Sequence, residues 1–125
     1  MTRTVKIPDA THPITIRPTG SRVTVRVGGT VIAKTDDALS LAESTYPVVQ
    51  YIPLADVDQS LLERTTTQSY CPYKGDASYY TVNATEGRTE KDVVWTYEHP
   101  YPSVAEIAGH LAFYRDRAEI TVDPA

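Results

Sequence analysis

With 125 residues, of which 41% are hydrophobic and 22% charged, the chain is expected to form one globular domain, and no apolar run approaches the roughly 20 residues that span a bilayer. Its single cysteine excludes an intrachain disulfide and a thiolate-rich metal cage. The single cysteine and the lack of a secretory signal at the N-terminus together predict a cytoplasmic protein. The formal net charge is −4 and the basic residues are scattered, which disfavours nucleic-acid binding and leaves room only for a small local site for one anion.

Alternating apolar and polar residues predict β-strands along most of the chain. In HPITIRP, Ile14 and Ile16 alternate with polar neighbours, and in RVTVRVGGTVIAKT the pair Gly28-Gly29 supplies the positive φ angles of a tight hairpin turn. This pattern predicts antiparallel strands at residues 22–27 and 30–35. Further strands are predicted at residues 38–43, 47–53, 61–68, 77–84, 91–98 and 118–123, with TEGRTE as the connection of a second hairpin.

One short helix is predicted near residues 103–109, within PSVAEIAGHLAFY. Ser103 and Glu106 have the spacing of a capping box, and Gly109 is suited to end the helix. The apolar residues at helical spacing are Val104, Ile107, Ala108 and Leu111. The sequence therefore predicts a mainly β domain, a compact antiparallel β-sandwich or a partly open barrel with one short helix. Residues 12–125 form this domain, and residues 1–11 form an N-terminal segment that can be flexible.

Five runs of the sequence together resemble domain-of-unknown-function family 427: HPITI, RVTVRVGGTVIAKT, YPVVQYIPLADVD, CPYKGDASYYTV and VVWTYEHPYPSVAEIAGHLAFY. The resemblance extends from about His12 to Val122 as a single copy. It implies a small, mainly β domain of bacteria and fungi, with no activity that transfers residue by residue. The family is also labelled nucleotidyltransferase-like, which implies carboxylates that hold Mg²⁺. Asp56 and Asp58 form the one D-x-D motif, but they lie in an expected turn, where Asp side chains commonly bond nearby backbone N–H groups.

The segment CPYKGD is the strongest candidate for a site. Pro72 and Gly75 predict a tight turn that projects Cys71, Lys74 and Asp76. Two functional interpretations stay open. Cys71 can act as a nucleophile or redox thiol whose thiolate is stabilised by Lys74, or Lys74 can hold an anionic ligand that Asp76 orients. The structural alternative is a buried cysteine that packs as a small hydrophobic residue.

Two further motifs supply candidate polar groups. Glu98, in WTYEHPYP, is a candidate general base or a partner of Lys74 or an arginine, and its structural alternative is a solvated carboxylate. His110 is a candidate base for Cys71, and its structural alternative is a helix C-cap. Arg17 is another candidate to hold an anion. His12 and His99 precede prolines and are interpreted as turn residues, so a zinc site is not expected.

Aromatic residues are expected to form the walls of a pocket. The candidate ligand-binding residues are Tyr73, Lys74, Asp76, Tyr79, Trp95 and Tyr114, and Tyr51 and Tyr97 can line the same concavity. The leading hypothesis is therefore a pocket that binds a small molecule. If Lys74 contacts this molecule, the molecule is expected to be anionic. The alternatives are an enzyme that uses Cys71, with His110 and Glu98 as further catalytic groups, and a non-catalytic module that binds another protein. No metal site is predicted, and the sequence does not identify a cofactor, a substrate or an oligomeric state.

Overall fold

The computed structural model describes residues 3–124, which form two antiparallel sheets. The ten strands are β1 (Ile14–Pro18), β2 (Val23–Val27), β3 (Thr30–Thr35), β4 (Leu39–Glu43), β5 (Val49–Pro53), β6 (Leu62–Cys71), β7 (Gly75–Asn83), β8 (Thr89–Thr96), β9 (His110–Phe113) and β10 (Glu119–Val122). Seven strands form one sheet in the order β1-β4-β5-β9-β8-β7-β6, and β10-β2-β3 form the other. The prediction of a mainly β, antiparallel sandwich is confirmed, and the sheets do not close into a barrel.

The main core lies between the two sheets. Val23, Val25 and Val27 on β2 are each at most 1% exposed and pack against the seven-stranded sheet. Because side chains alternate along a strand, Ile52 on β5 joins this core whereas its neighbour Tyr51 faces the opposite side. The seven-stranded sheet therefore buries apolar side chains on both faces.

The two hairpin predictions are confirmed. Gly28 and Gly29 have φ angles of 57° and 85°, as the tight turn between β2 and β3 requires. The polar connection TEGRTE joins β7 to β8, with a short 3₁₀ turn at Thr85–Gly87. The segment CPYKGD also joins two paired strands, because Cys71 at the end of β6 lies opposite Gly75 at the start of β7.

A short helical segment lies near the predicted position, but it is not a capped α-helix. It is a 3₁₀ segment, Pro102–Ile107, with a kink at Val104. Its N-cap is Tyr101, and no side chain caps it, so the predicted Ser103–Glu106 capping box does not form. The reason is that Pro102 occupies the first helical turn, which moves the start of the segment one residue ahead of Ser103. Packing holds the segment instead.

Strand β9 is absent from the sequence prediction. Leu111 is predicted on the helix face and His110 as a helix C-cap or a base for Cys71, but both residues belong to β9, which pairs with β5 and β8. The apolar run is short enough to fit either a helical or a strand period, and the neighbouring strands decide between them. Gly109, with a φ angle of 74°, ends the helical segment as predicted and directs the chain into β9.

The N-terminal segment contacts the CPYKGD turn. The backbone N–H of Lys6 donates to the carbonyl oxygen of Pro72 at 2.9 Å, and the Arg3 guanidinium donates to the Asp76 carboxylate at 2.8 Å. The division into residues 1–11 and 12–125 stays a prediction, and residues 1, 2 and 125 lie outside the described part. Within residues 3–124, no helix has the length and apolar character to cross a membrane.

Candidate functional site

A cavity of about 260 Å³ lies on the face of the seven-stranded sheet that is turned away from β2. Its walls are mainly aromatic, and the lining residues are Leu41, Glu43, Tyr46, Pro47, Val49, Tyr51, Lys74, Tyr79, Trp95, Tyr97 and Tyr114. Strands β5, β9 and β8 separate β4 from β7 in the sheet order. Nevertheless, Lys74 in the turn before β7 reaches Glu43 on β4, so the sheet curves around the cavity.

An ion pair is buried in the cavity wall. The Lys74 ammonium donates to one oxygen of the Glu43 carboxylate, and the side chains are 9% and 13% exposed. The other oxygen of Glu43 lies 2.7 Å from Nε2 of His12. Burial raises the pKa of Glu43, but the hydrogen bonds from Lys74 and His12 outweigh it and hold the pKa below its usual value. Glu43 is therefore ionised at neutral pH and is the ion-pair partner of Lys74.

Cys71 contacts the same lysine. Its Sγ atom lies 3.8 Å from Nζ of Lys74, and the residue is half-buried against the aromatic side of the sheet. This contact is the one that the nucleophile interpretation requires. The packing of Cys71 against apolar neighbours agrees with the structural alternative.

The aromatic walls contact one another through a hydrogen bond and through ring packing. Nε1 of Trp95 donates to the Tyr51 hydroxyl at 3.3 Å, and the two rings meet edge to face. The ring centroids of Trp95 and Tyr114 are 4.6 Å apart. Burial, followed by hydrogen bonding to Tyr79, raises the pKa of Tyr114 to about 12. Burial also raises the pKa values of Tyr51 and Tyr97. The cavity therefore presents neutral hydroxyls at physiological pH.

Four of the predicted ligand-binding residues converge in this cavity. Lys74, Tyr79, Trp95 and Tyr114 all line it, although they come from the CPYKGD turn, from β7, from β8 and from the residue after β9. Cys71 is within contact distance of Lys74. Tyr51 and Tyr97, which the sequence places in the same concavity, also line it.

Tyr73 and Asp76 do not line the cavity. The Tyr73 ring stacks on the His12 ring, with centroids 4.1 Å apart and planes 7° apart. Asp76 is exposed and pairs with Arg3. Tyr73 thus supports the polar cluster through His12, whereas Asp76 is directed to the N-terminal segment.

Glu98 and His110 are also outside the cavity lining. Glu98 is exposed and accepts a hydrogen bond of 2.7 Å from Arg64, which agrees with the predicted arginine partner. Nδ1 of His110 is bonded to the carbonyl oxygen of Ala108 at 2.9 Å. Within residues 3–124, no hydrogen bond joins His110 to Cys71. The exposed Arg17 is not among the lining residues either.

Glu43 and His12 are not predicted as site residues by the sequence. His12 is predicted to be a turn residue, and it does form a turn with Asp9, but its ring also bonds Glu43. The pairing of Ile14 with Glu43 between β1 and β4 brings them together. A glutamate at the end of a strand and a histidine before a proline have no distinctive spacing, so only strand pairing identifies them.

The D-x-D motif has structural partners. The Asp58 carboxylate caps a 3₁₀ turn by accepting from the backbone N–H of Ser60 at 3.1 Å. Asp56 accepts from the Thr35 hydroxyl at 2.6 Å. Among the side chains of residues 3–85 and 87–124, no group of three or more His, Cys, Asp or Glu is placed to hold a metal ion.

The chain is a small antiparallel β-sandwich domain with an aromatic cavity that has an ion pair in its wall. The family model described as Domain of unknown function (DUF427) matches residues 15–124, and the chain belongs to this family. The resemblance inferred from the sequence runs is thus confirmed. No curated protein matches the chain.

Proposed function

We propose that the cavity binds a small organic molecule that carries a flat ring and an anionic group. The observation that carries this proposal is the convergence of Lys74, Tyr79, Trp95 and Tyr114, from four separate segments, on one cavity. Aromatic walls favour a ring, which they can contact edge to face or in an offset stack. The volume of about 260 Å³ suits a molecule of one or two rings rather than a larger ligand.

The buried ion pair supports an anionic group on the ligand. An ammonium has three N–H donors, and those on Lys74 are directed to Glu43 and, at 3.8 Å, to Sγ of Cys71, which leaves one donor. A ligand carboxylate can accept from this donor without displacing Glu43. Burial of a charged pair without a ligand contributes little net stability, so its position in a cavity wall favours a role in binding.

A fluorescence titration tests this proposal. Trp95 is the single tryptophan of the chain and lines the cavity, so its emission reports occupancy. Benzoate, 4-hydroxybenzoate and indole-3-carboxylate are expected to give saturable changes, whereas the matching alcohols bind at least about tenfold more weakly, since they lack the charge for Lys74. Lys74→Met should remove this preference, and exposed Lys91→Met should keep it.

Circular dichroism before each titration ensures that only folded variants are compared. A chain in which none of the three carboxylates gives a saturable change contradicts the proposal. A folded Lys74→Met variant that keeps the full preference for carboxylates contradicts the role of Lys74.

A second candidate function is catalysis by Cys71, and the 3.8 Å contact with Lys74 favours it. If Lys74 stabilises the thiolate, iodoacetamide should alkylate Cys71 at pH 7 about tenfold faster in the wild-type chain than in Lys74→Met. Mass spectrometry measures the rate, and Cys71→Ser provides the blank. A thiol that reacts only after unfolding, or equally fast in both chains, removes this candidate.

The free thiol also leads us to propose a reducing compartment such as the cytoplasm.

A further inference from the structure

We propose that a second site, adjoining the cavity, binds a single amphiphile with an apolar body and a phosphate head group. The body lies in a groove beside β10, and the head group lies at a cluster of four arginines. This inference goes beyond the ring-binding cavity and depends on neither Lys74 nor Glu43.

The groove has a volume of about 670 Å³ and lies between β10 and the residues around β5 and the end of β9. Its apolar lining consists of Pro47, Val48, Val49, Trp95, Phe113, Ala118, Ile120 and Val122. Val48 is 51% exposed and Val122 is 44% exposed. An apolar groove that exposes two aliphatic side chains is a candidate surface for an apolar ligand.

The arginine cluster consists of Arg26, Arg88, Arg115 and Arg117, which line a recess of about 450 Å³ above the Gly28-Gly29 turn. These residues come from β2, from the connection before β8 and from the segment between β9 and β10. The basic residues look scattered in the sequence because only the folded chain brings these three segments together.

Two of the four arginines are held in place. A Cβ atom on Gly28 would lie 2.7 Å from Cδ of Arg88, so the glycine at this position lets Arg88 lie across the turn. Arg117 donates to the carbonyl oxygens of Lys91 at 2.6 Å and Asp92 at 3.3 Å. These contacts orient guanidinium groups before any ligand arrives, which reduces the entropy lost on binding.

The recess is locally positive in a chain whose net charge is −4. Asp116 and Glu119 also line it, so four arginines and two carboxylates give a net charge of +2. Arg88 pairs with Glu90 at 3.1 Å. Among the described side chains, which are those of residues 3–85 and 87–124, no carboxylate lies within 4.0 Å of the other three guanidinium groups. One guanidinium group can donate two parallel hydrogen bonds to two oxygens of a phosphate, so this recess favours a phosphate group.

The three depressions adjoin one another along shared lining residues. The groove and the recess share Arg115, Asp116, Ala118 and Glu119, and the groove and the cavity share Tyr46, Pro47, Val49, Trp95 and Tyr114. Because the positive charge lies at one end of an apolar trough, a ligand with one anionic end matches it better than a nucleic acid, which is charged along its whole length.

Dodecyl phosphate below its micellar concentration is the probe. It is expected to change Trp95 emission saturably and to bind at least about tenfold more tightly than dodecyltrimethylammonium or dodecanol. Arg26→Ala/Arg115→Ala should weaken dodecyl phosphate about tenfold and leave dodecanol unchanged, whereas Val48→Asp should weaken both. Arg64→Ala, on edge strand β6, is the matched control and should bind as the wild type does.

Lys74→Met should bind dodecyl phosphate normally, so failure of the ring-binding cavity and failure of this site are distinguishable. Equal affinity for the three head groups, or an unchanged affinity in the double arginine variant, would overturn the proposal. Co-sedimentation with phosphatidylglycerol vesicles without binding of the monomeric probe would assign the arginines to a membrane surface and would also overturn it.

Discussion

Glu43→Gln is expected to lower the free energy of unfolding by about 3 kcal/mol. The substitution keeps the size of the side chain but removes the charge, so the Lys74 ammonium stays buried without its counter-charge. Urea denaturation at neutral pH measures the change. Asp36→Asn is the matched control, because it breaks a pair with Arg22 in which both side chains are about half exposed or more, and it should leave the free energy of unfolding nearly unchanged.

The dependence on pH provides a second readout of the same pair. The pKa of Glu43 is lower in the folded chain than its ordinary value of 4.5. The ionised Glu43 carboxylate therefore stabilises the fold fully above pH 4.5, and this stabilisation is lost as the pH falls through the lowered pKa. The difference between the wild type and Glu43→Gln should therefore shrink below pH 4.5. A difference that is constant from pH 7 to pH 3, or a Glu43→Gln variant as stable as the wild type, would contradict the buried pair.

Lys74→Met/Glu43→Leu extends this prediction. Replacement of both charges by apolar groups of similar size should recover most of the lost stability, since neither charge is then left unpaired. The same variant should not bind the ring carboxylates. Recovery of stability without binding is the result expected for residues that serve a ligand rather than the fold.

Ile107→Ala is expected to lower the free energy of unfolding by about 3 kcal/mol, whereas Ser103→Ala changes it by less than about 0.5 kcal/mol. Ile107 is the last residue of the helical segment and is fully buried, so its truncation leaves a cavity. Ser103 caps nothing. Urea denaturation of the two variants compares packing with capping as the force that holds residues 102–107.

The outcome for Ser103→Ala is decisive for the helical segment. A loss of about 1 kcal/mol is typical when a capping serine is removed, so such a loss would indicate that the capping box forms in solution. An Ile107→Ala variant as stable as the wild type would show that the segment is not anchored by its apolar residues.

Local chemistry made much of the fold predictable. Alternation of apolar and polar residues identifies nine of the ten strands, and Gly28-Gly29 and Gly75 mark turns that their φ angles confirm. The missed strand, β9, is only four residues long, and its pairing with β5 and β8 overrides a weak helical pattern.

The candidate site was predictable only in part. Lys74, Tyr79, Trp95 and Tyr114 follow from the concentration of reactive and aromatic side chains in short motifs. The sequence by itself determined nine of the ten strands and the turns, because each depends on near neighbours in the chain. Only the tertiary structure decided that Glu43 pairs with Lys74, 31 residues away, and that four scattered arginines share a recess. Contacts between distant segments depend on sheet pairing and curvature, which no local pattern specifies.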